Sequence, residues 1–405
     1  MLKYNKVWQF FKNIYHFFQA LTANIYYGFP SRNMTVIGVT GTDGKTTTTS
    51  MIYHLLDRSG FKSAMISSVE ARFGQFKIDT GLHITSPSSW WLQQNLRKMV
   101  NQGVTHLVLE VTSHGLDQYR AWGVNFKMAV FTNVTQEHLD YHHTWENYLN
   151  TKSKLLKGVS LAILNSDDKS YKNLKPKCQS LNVHHISYSL TDQKSEFTPQ
   201  KINFKSSLLG DYNLLNSLAA IAAVNSLGVS LKDLKEYLKT FNLPKGRMEK
   251  INNKLGFQVY VDFAHTPNGL KQALTALSKI KKKNKSLIAV FGSAGLRDRD
   301  KRPVMGQTAG DLADVVVLTA EDPRTEDVNQ IIKQIKSGIK NKKTKIIIET
   351  DRAKAIQKAV NLAKKGDIVG IFGKGHEQSM CFGKTETPWS DQEQVKKALA
   401  KRSKP

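Results

Sequence analysis

Short runs of β-branched and other apolar residues alternate with segments of helical periodicity along most of this chain. In the first half, such runs lie at 34–41, 63–68, 105–111, 127–134 and 160–165. Buried apolar strands that alternate with helices are typical of a parallel sheet covered on both faces. The first half is therefore predicted to be an α/β domain.

A second series of the same kind follows a polar, irregular stretch at 166–207 and a strongly apolar helix at 213–228. Its apolar runs lie at 257–263, 286–292, 314–321, 344–350 and 367–373. Proline and glycine in the segment FNLPKG, at 241–246, mark the seam between the two series. We predict an N-terminal segment at 1–33, a central α/β domain at 34–242 and a C-terminal α/β domain at 243–405.

The first thirty residues are rich in aromatic side chains at helix-like spacing. Lys3, Lys6 and Lys12 interrupt the apolar positions, whereas a bilayer-spanning helix needs about 20 mainly apolar residues. The segment also has no small-residue cleavage site of a secretory signal. Two interpretations stay open, namely a helix packed on the body of the protein and a helix of residues 1–28 that contacts a membrane interface. We expect a cytoplasmic protein.

Composition narrows the class of protein only partly. Of the 405 residues 40% are apolar, which excludes a mainly disordered chain. The 59 Lys and Arg residues exceed the 33 Asp and Glu residues by 26, and such an excess attracts nucleic acid, anionic lipid and polyanionic small molecules alike. No aromatic residues interleave the lysine run at 279–285, so we predict no nucleic-acid partner. Cys178 and Cys381 are too few for a disulfide framework and are expected to be reduced.

The segment VIGVTGTDGKTTTT, at 36–49, is the first chemical signal. Glycines let a backbone wrap phosphate oxygens, and the N–H groups of the following helix face the anion. Lys45 is placed to meet the terminal phosphates, and Thr46 or Thr47 can hold Mg²⁺. The motif departs from the usual P-loop because Val39 stands where its first glycine would be. The predicted phosphate-contacting residues are Gly41, Thr42, Asp43, Gly44, Lys45, Thr46 and Thr47.

Acidic and imidazole side chains stand at the ends of the third and fourth predicted strands of this half, 105–111 and 127–134. Glu110 ends one strand with His114 just after it, and Asn133, His138 and His142 follow the other. Ligands of α/β sheets bind at the carboxyl ends of strands, and Mg²⁺ prefers oxygen ligands. These side chains therefore predict a metal-assisted triphosphate site.

Ordered motifs give the chain a resemblance to a known family over nearly its whole length. The motifs, in order, are GVTGTDGKTTT, EVTSHGL, FTNVTQEHLDYH, YLNTK, NLLNSLAAIAA, GRME, VDFAHTPNGL, RDRDKRPVMG, EDPRTED and GKGHEQ. The chain resembles the Mur ligases, and most closely their MurE-type members. The resemblance implies a P-loop-type ATPase domain with a mostly parallel sheet, followed by a Rossmann-like α/β domain.

The activity that the resemblance implies is an ATP-dependent acid–amino acid ligase of peptidoglycan synthesis. It would add meso-diaminopimelate or L-lysine, as the third residue, to a muramoyl-L-Ala-D-Glu acceptor through an acyl phosphate. Thr46 and Glu110 would serve one Mg²⁺ and His138 a second. Lys152, four residues after Tyr148, would carry a CO₂-derived carbamate that binds metal. Lys45, His138 and Lys152 are thus the predicted catalytic residues.

Further site residues also come from the resemblance. The base and ribose of ATP would contact residues on both sides of the seam, so that ATP is expected between the two domains: Asn213, Asn216, Arg247, Asp262 and His265. The acceptor would contact Thr85, Ser86, Ser113 and Arg120.

The amino acid would contact residues of the C-terminal domain: Arg297, Glu321, Asp322, Arg324, Gly373 and Glu377. The family motif D-N-P-R reads Glu321, Asp322, Pro323, Arg324 in this chain. The retained arginine can grip a distal carboxylate in a bidentate manner, which favours meso-diaminopimelate over lysine.

The largest departure from the family lies at the front, where the resemblance leads us to expect that a uridine-binding domain is lacking. Other acceptors therefore stay open, among them a lipid-linked wall precursor, a polyamino acid and folate. A non-catalytic P-loop protein is the remaining alternative. We expect a monomer whose partners are small-molecule substrates.

Overall fold

The computed structural model describes residues 6–79 and 87–403, which form two compact units. The first unit comprises the described residues up to Leu208 together with Tyr212–Asn242. The second comprises Leu209–Asp211 and the described residues from Leu243 onward. Among the described residues, none of the helices combines the length and the apolar character that crossing a membrane requires.

The described part of the first unit contains an eight-stranded sheet in the order β4-β3-β2-β5-β1-β6-β7-β8. Its strands are β1 Thr35–Thr40, β2 Ser63–Ile66, β3 Glu70–Phe73, β4 Phe76–Asp79, β5 His106–Glu110, β6 Phe126–Phe131, β7 Leu161–Asn165 and β8 His184–Tyr188. All neighbouring pairs are parallel except β2–β3 and β3–β4. The central strands are apolar on both faces because helices cover both.

Helices connect and flank these strands. They are α1 Lys6–Tyr26, α2 Lys45–Arg58, α3 Ser89–Asn101, α4 Ser113–Asp117, α5 Leu139–His142, α6 Trp145–Ser153, α7 Tyr171–Ser180, α8 Asp211–Asn225 and α9 Leu231–Leu238, with 3₁₀ turns at Pro30–Asn33 and Lys154–Leu156. Strand β1 lies between β5 and β6, so the residues that follow these three strands share one edge of the sheet. Ligands of an open α/β sheet bind at this edge, beyond the carboxyl ends of the strands.

The second unit is a smaller α/β sandwich. Its strands are β9 Glu249–Ile251, β10 Gln258–Asp262, β11 Leu287–Phe291, β12 Val315–Leu318, β13 Lys345–Ile348, β14 Ile368–Phe372, β15 Ser379–Phe382 and β16 Thr385–Pro388. Its helices are α10 Pro267–Ile280, α11 Lys301–Leu312, α12 Val328–Ser337, α13 Arg352–Leu362 and α14 Asp391–Arg402. The main sheet has the order β13-β12-β11-β14-β10-β9, in which only β9 is antiparallel, and β15 pairs with β16 separately.

Helix α1 packs on the first unit by one face. Ala20, Ala23 and Asn24 are fully buried. The ring of Phe17 lies edge-on to Tyr119 and Trp122, with centroid separations of 5.6 and 5.0 Å. The first of the two interpretations of this segment, a helix packed on the body of the protein, is thus confirmed for its inner face.

The predicted α/β class is confirmed in both units, because all ten predicted apolar runs are strands. The stretch at 166–207 differs from the prediction, since it supplies α7 and an additional parallel strand, β8.

Candidate functional site

The loop between β1 and α2 has the geometry of a phosphate-binding turn. Gly44 precedes the first residue of α2 with φ of 83°, a conformation that favours glycine. A Cβ atom at Gly44 would lie 2.5 Å from Oδ1 of Asn216 on α8. Both the backbone angle and the close approach therefore require glycine, and the loop places Gly44 against one of the predicted ATP residues.

Side chains from the neighbouring strand hold this loop in place. The backbone N–H of Asp43 donates to Oδ1 of Asn133 at 3.0 Å, and Nδ2 of Asn133 donates to the Asp43 carbonyl at 3.0 Å. Oγ1 of Thr132 donates to the same carbonyl at 2.6 Å. Nζ of Lys45 donates to the Thr42 carbonyl at 2.9 Å. The loop is thus fixed by hydrogen bonds before any ligand binds.

Glu110 and Thr46 meet at the start of α2. Oγ1 of Thr46 donates to Oε2 of Glu110 at 3.0 Å, and both residues are buried. Ser68 donates to the same carboxylate through its backbone N–H at 2.9 Å and its hydroxyl at 3.1 Å. Ser68 could not be identified from the sequence, since serine after a strand is common. A hydroxyl and a carboxylate this close form an oxygen-rich site beside a phosphate loop.

Lys152 reaches the same loop from α6. Its ammonium group is fully buried, donates to the Gly41 carbonyl at 2.6 Å and lies 4.6 Å from the centre of the Tyr148 ring. Burial, and then the nearby charge of Lys45, hold the pKa of Lys152 well below its ordinary value. The Lys152 side chain thus lies at the phosphate loop. The environment of its amino group favours the neutral amine.

Histidines cluster beside Lys152. The ring of His138 lies 4.8 Å from that of His114 and 6.1 Å from that of Tyr148. His142 lies 5.1 Å from Tyr148, and its Nε2 is 3.1 Å from Oγ of Ser113. Burial, followed by the charge of His114, lowers the pKa of His142 to about 3, so its ring is neutral at physiological pH.

The predicted acceptor residues are only partly described. Ser113 begins α4, and half-buried Arg120 follows that helix between two aromatic residues that contact α1. Thr85 and Ser86 lie outside the described residues.

The predicted base- and ribose-contacting residues fall in both units. Asn213 and Asn216 are buried on α8 in the first unit. In the second unit, the Asp262 carboxylate accepts hydrogen bonds from the backbone N–H groups of Met248, at 2.6 Å, and Ala264, at 2.8 Å. It therefore fixes two separate segments, the one before β9 that carries Arg247 and the one after β10 that carries His265.

Both of these side chains pack on a single aromatic ring. The guanidinium of Arg247 lies 4.5 Å from the centre of the Phe263 ring, and the His265 ring is also 4.5 Å from it. Arg247, Asp262 and His265 are thus brought together in the second unit.

The predicted amino-acid residues centre on a buried lysine that the sequence did not single out. Nζ of Lys374 donates to both carboxylate oxygens of Asp322 at 2.8 Å and contacts Oε2 of Glu377 at 2.5 Å. Burial would lower the pKa of Lys374, but Glu377 and Asp322 together raise it. The neighbouring Arg324 donates from Nη1 to the Gly295 carbonyl at 2.6 Å, which orients its guanidinium.

The other predicted amino-acid residues have different environments. Glu321 is buried, and among the described residues its Oε2 has no hydrogen-bond partner. Burial raises the pKa of Glu321 to about 7. A Cβ atom at Gly373, whose φ is 109°, would lie 2.1 Å from this same oxygen, so glycine is needed there. Arg297 is exposed.

The chain is similar to known proteins along most of its length. Residues 39–224 match the family model of the Mur ligase middle domain, and residues 246–375 match that of the Mur ligase, glutamate ligase domain. The chain is 37% identical over 402 residues to the UDP-N-acetylmuramoyl-L-alanyl-D-glutamate–2,6-diaminopimelate ligase of Clostridium botulinum, with 94% of this chain and 81% of the relative covered. The ligase of the same name from Aquifex aeolicus is 37% identical over 398 residues, covering 93% and 80%.

A solved structure of a ligase with that name is 31% identical to this chain, with a TM-score of 0.62. The match covers 92% of this chain and 79% of that chain. The similarity therefore extends through both units in sequence and in structure.

Proposed function

The protein belongs to the Mur ligase family, and from that premise we propose that it joins meso-diaminopimelate to the carboxyl group of a muramoyl-L-alanyl-D-glutamate acceptor with consumption of ATP. The relatives that bear this activity in their names match more than nine-tenths of the chain. The observation that carries the proposal is the convergence of Lys152, Glu110 and Thr46 on the phosphate loop. In this proposal residues 34–242 form the ATP-binding domain and residues 243–405 the amino-acid-binding domain.

The chemistry explains why a phosphate loop serves an amide-forming enzyme. A carboxylate is a poor acylating agent, so its oxygen first attacks the γ-phosphorus of ATP, which gives an acyl phosphate and ADP. The amino group then attacks the acyl carbon, and the tetrahedral intermediate collapses with loss of phosphate and a proton. Both steps depend on neutralising phosphate charge, which is the role of Lys45 and of the N–H groups at the start of α2.

The residues beside the phosphate loop fit magnesium. Oγ1 of Thr46 and the Glu110 carboxylate are oxygen donors 3.0 Å apart, and oxygen is the ligand type that Mg²⁺ takes beside phosphates. Thr46 and Glu110 would hold one ion and His138 would serve a second. Bound magnesium would supply charge neutralisation for phosphoryl transfer.

We also propose that Lys152 is carbamylated by CO₂. Only a neutral amine reacts with CO₂, and the burial of Lys152 beside Lys45 favours that form. The reaction forms an N–C bond, releases a proton and converts a potential cation into an anion. That anion would bind the second magnesium ion together with His138.

Substrate contacts are assigned to the remaining predicted residues. Arg324 would pair with the distal carboxylate of diaminopimelate, and Glu377 would bind one of its amino groups. Ser113 and Arg120 would contact the acceptor. The base and ribose of ATP would be bound by the buried amides of α8 and by three polar side chains of the second unit: Asn213, Asn216, Arg247, Asp262 and His265. Arg297, Glu321, Asp322 and Gly373 complete the proposed amino-acid site.

We further propose that the protein acts as a cytoplasmic monomer on small-molecule substrates, with peripheral membrane contact through residues 1–28. Both cysteines are free thiols in the structure, which suits a reducing compartment.

The test is release of phosphate from ATP with each candidate acceptor and amino acid in turn. We expect release that requires both a muramoyl-L-Ala-D-Glu acceptor, UDP-linked or lipid-linked, and diaminopimelate. The variant Arg324→Ala should raise the KM for diaminopimelate by at least about 10–100-fold, because the distal carboxylate loses its charge-assisted partner. Lysine lacks the distal carboxylate, so its KM should change little. Equal turnover with folate or a polyamino acid, or release without any acceptor, would overturn the proposal.

A further inference from the structure

Helix α1 presents a second apolar face that the protein body does not cover. Its outer side chains have exposed fractions from 37% to 74% and follow helical spacing along four turns: Phe11, Ile14, Tyr15, Phe18, Ile25 and Tyr26. We call these six residues the outer stripe. The Tyr26 ring lies 5.7 Å from that of Trp90, which is itself 37% exposed and extends the apolar surface beyond the helix.

The outer stripe is unusual for this molecule. Other exposed large apolar side chains among the described residues, such as Leu181, Ile280 and Leu362, stand singly on separate elements. Scattered apolar residues are normal on a protein surface, whereas a contiguous patch marks an interaction site. The outer stripe is therefore expected to be an interaction surface.

The charge around the stripe indicates what that partner is. The first 42 residues contain no Asp or Glu, and the first acidic residue of the chain is Asp43. The same segment contains Lys3, Lys6, Lys12 and Arg32, and the described side chains of Lys12 and Arg32 are exposed. The Asp117 carboxylate of the protein body accepts a hydrogen bond from Asn13 of α1 at 3.4 Å and also pairs with Lys154. An apolar, aromatic stripe on a segment whose own charged residues are all cationic is complementary to anionic lipid headgroups above an acyl layer.

We propose that the outer stripe of α1 docks the protein on an anionic membrane surface. The inner face of the helix is occupied by its contacts with Tyr119 and Trp122, so only the outer face can enter the lipid interface and the helix would lie along the surface. A second copy of the chain fits less well, because pairing two stripes would juxtapose their lysines with no acidic residue in the segment to offset them. This inference adds a lipid partner to the peripheral contact in the proposed function and is independent of the amide-forming chemistry.

The experiment is co-sedimentation of the full chain with vesicles of phosphatidylcholine alone or of phosphatidylcholine with phosphatidylglycerol at 7:3. We expect at least about tenfold stronger partition to the anionic vesicles, with loss of that preference at high salt. The triple variant Phe11→Ser, Phe18→Ser, Ile25→Ser should weaken partition by at least about tenfold. The matched control Leu181→Ser, Ile280→Ser, Leu362→Ser removes three scattered apolar side chains and should bind as the parent protein does.

Two further readouts make the outcome decisive. Lys12→Glu should reduce the anionic preference while circular dichroism and turnover of a soluble acceptor stay unchanged. Failure of all variants and the parent protein to bind anionic vesicles would overturn the docking proposal and leave the ligase proposal intact. A dimer seen by light scattering, and abolished by the triple variant, would instead assign the stripe to a second copy.

Discussion

Lys374 and Asp322 form a buried pair in which one ammonium group donates to both oxygens of one carboxylate at 2.8 Å. The same ammonium holds Glu377, which is partly exposed and is the proposed ligand of a substrate amino group. Lys374 is therefore a positioning residue, since it acts on the amino-acid site through two neighbours.

The variant Lys374→Met should raise the KM for the amino acid by about 10–100-fold, because Glu377 and Asp322 lose a charge-assisted partner. The KM for ATP should change little. Removing one member of a buried ion pair also destabilises by roughly 3–5 kcal/mol, which urea unfolding would measure. Lys374→Arg keeps the charge and should recover part of the loss. Lys358→Met removes a partly exposed ion pair with Glu349 and serves as control. A parallel rise in both KM values would contradict a positioning role.

The phosphate loop can be tested with two glycines of the same backbone conformation. Gly44 and Gly60 both have φ of 83°, but a Cβ atom at Gly60 meets nothing within 4 Å, whereas one at Gly44 approaches Asn216. Gly60→Ala should lower the free energy of unfolding by about 1–2 kcal/mol and leave turnover intact. Gly44→Ala should lower kcat/KM for ATP by on the order of 100-fold, since the loop must move. Equal activity in the two variants would show that the contact with Asn216 is unimportant.

Variants of Lys152 and Lys154 compare a buried amine with a surface lysine two residues away. Lys154 forms a partly exposed ion pair with Asp117. Lys152→Ala should lower kcat by at least about 100-fold, whereas Lys154→Ala should stay within about twofold of the parent. Protein equilibrated with ¹³C-bicarbonate should show a carbamate resonance that Lys152→Ala alone abolishes. Persistence of that resonance in the Lys152 variant would reject the carbamylation proposal.

Glu321 makes stability depend on pH. Its pKa is about 7 in the folded protein against an ordinary value of 4.5, so the unfolded chain releases this proton at lower pH than the folded protein does. Stability from this group is therefore greatest below pH 4.5, falls as pH rises to about 7, and stays constant above it.

Glu321→Gln removes that dependence. As pH rises from 4.5 to 8, the free energy of unfolding of the variant should increase by about 3 kcal/mol relative to that of the parent. Urea unfolding at several pH values would measure this change. Glu393→Gln changes an exposed glutamate of the same unit and serves as the control. A difference between Glu321→Gln and the parent that does not change with pH would mean that the Glu321 carboxyl group titrates normally.

The sequence predicted the strands that form the centre of each sheet, because burial on both faces makes them continuously apolar. It missed strands whose pattern is broken or short. His184 and His185 begin β8 and hide its apolar residues, and all four residues of β16 are exposed. Edge strands of this kind carry a weak periodic signal, and pairing with a neighbour decides their structure.

The site residues also divide into those that the sequence could predict and those that it could not. Gly41 and Lys45 could be placed from motif spacing, since a strand-to-helix turn has few geometries. Lys152 lies on α6 and could be placed only through the family resemblance. Lys374 could not be placed, because a lysine in a glycine-rich loop usually faces solvent. The one sequence signal for Lys374 was Asp322, which stands in the motif position that normally holds asparagine. A carboxylate buried at that position needs a cation as its partner.

The contact of Phe17 with Tyr119 and Trp122 has a practical consequence for anyone who shortens this chain. Those two aromatic residues lie one and two positions from Arg120, so trimming the leading helix would remove packing beside the arginine that is proposed to contact the acceptor, some hundred positions away. Truncated enzyme would then bind its acceptor poorly for reasons unrelated to lipid. Point changes that spare Phe17 are consequently the appropriate tools for dissecting the leading helix.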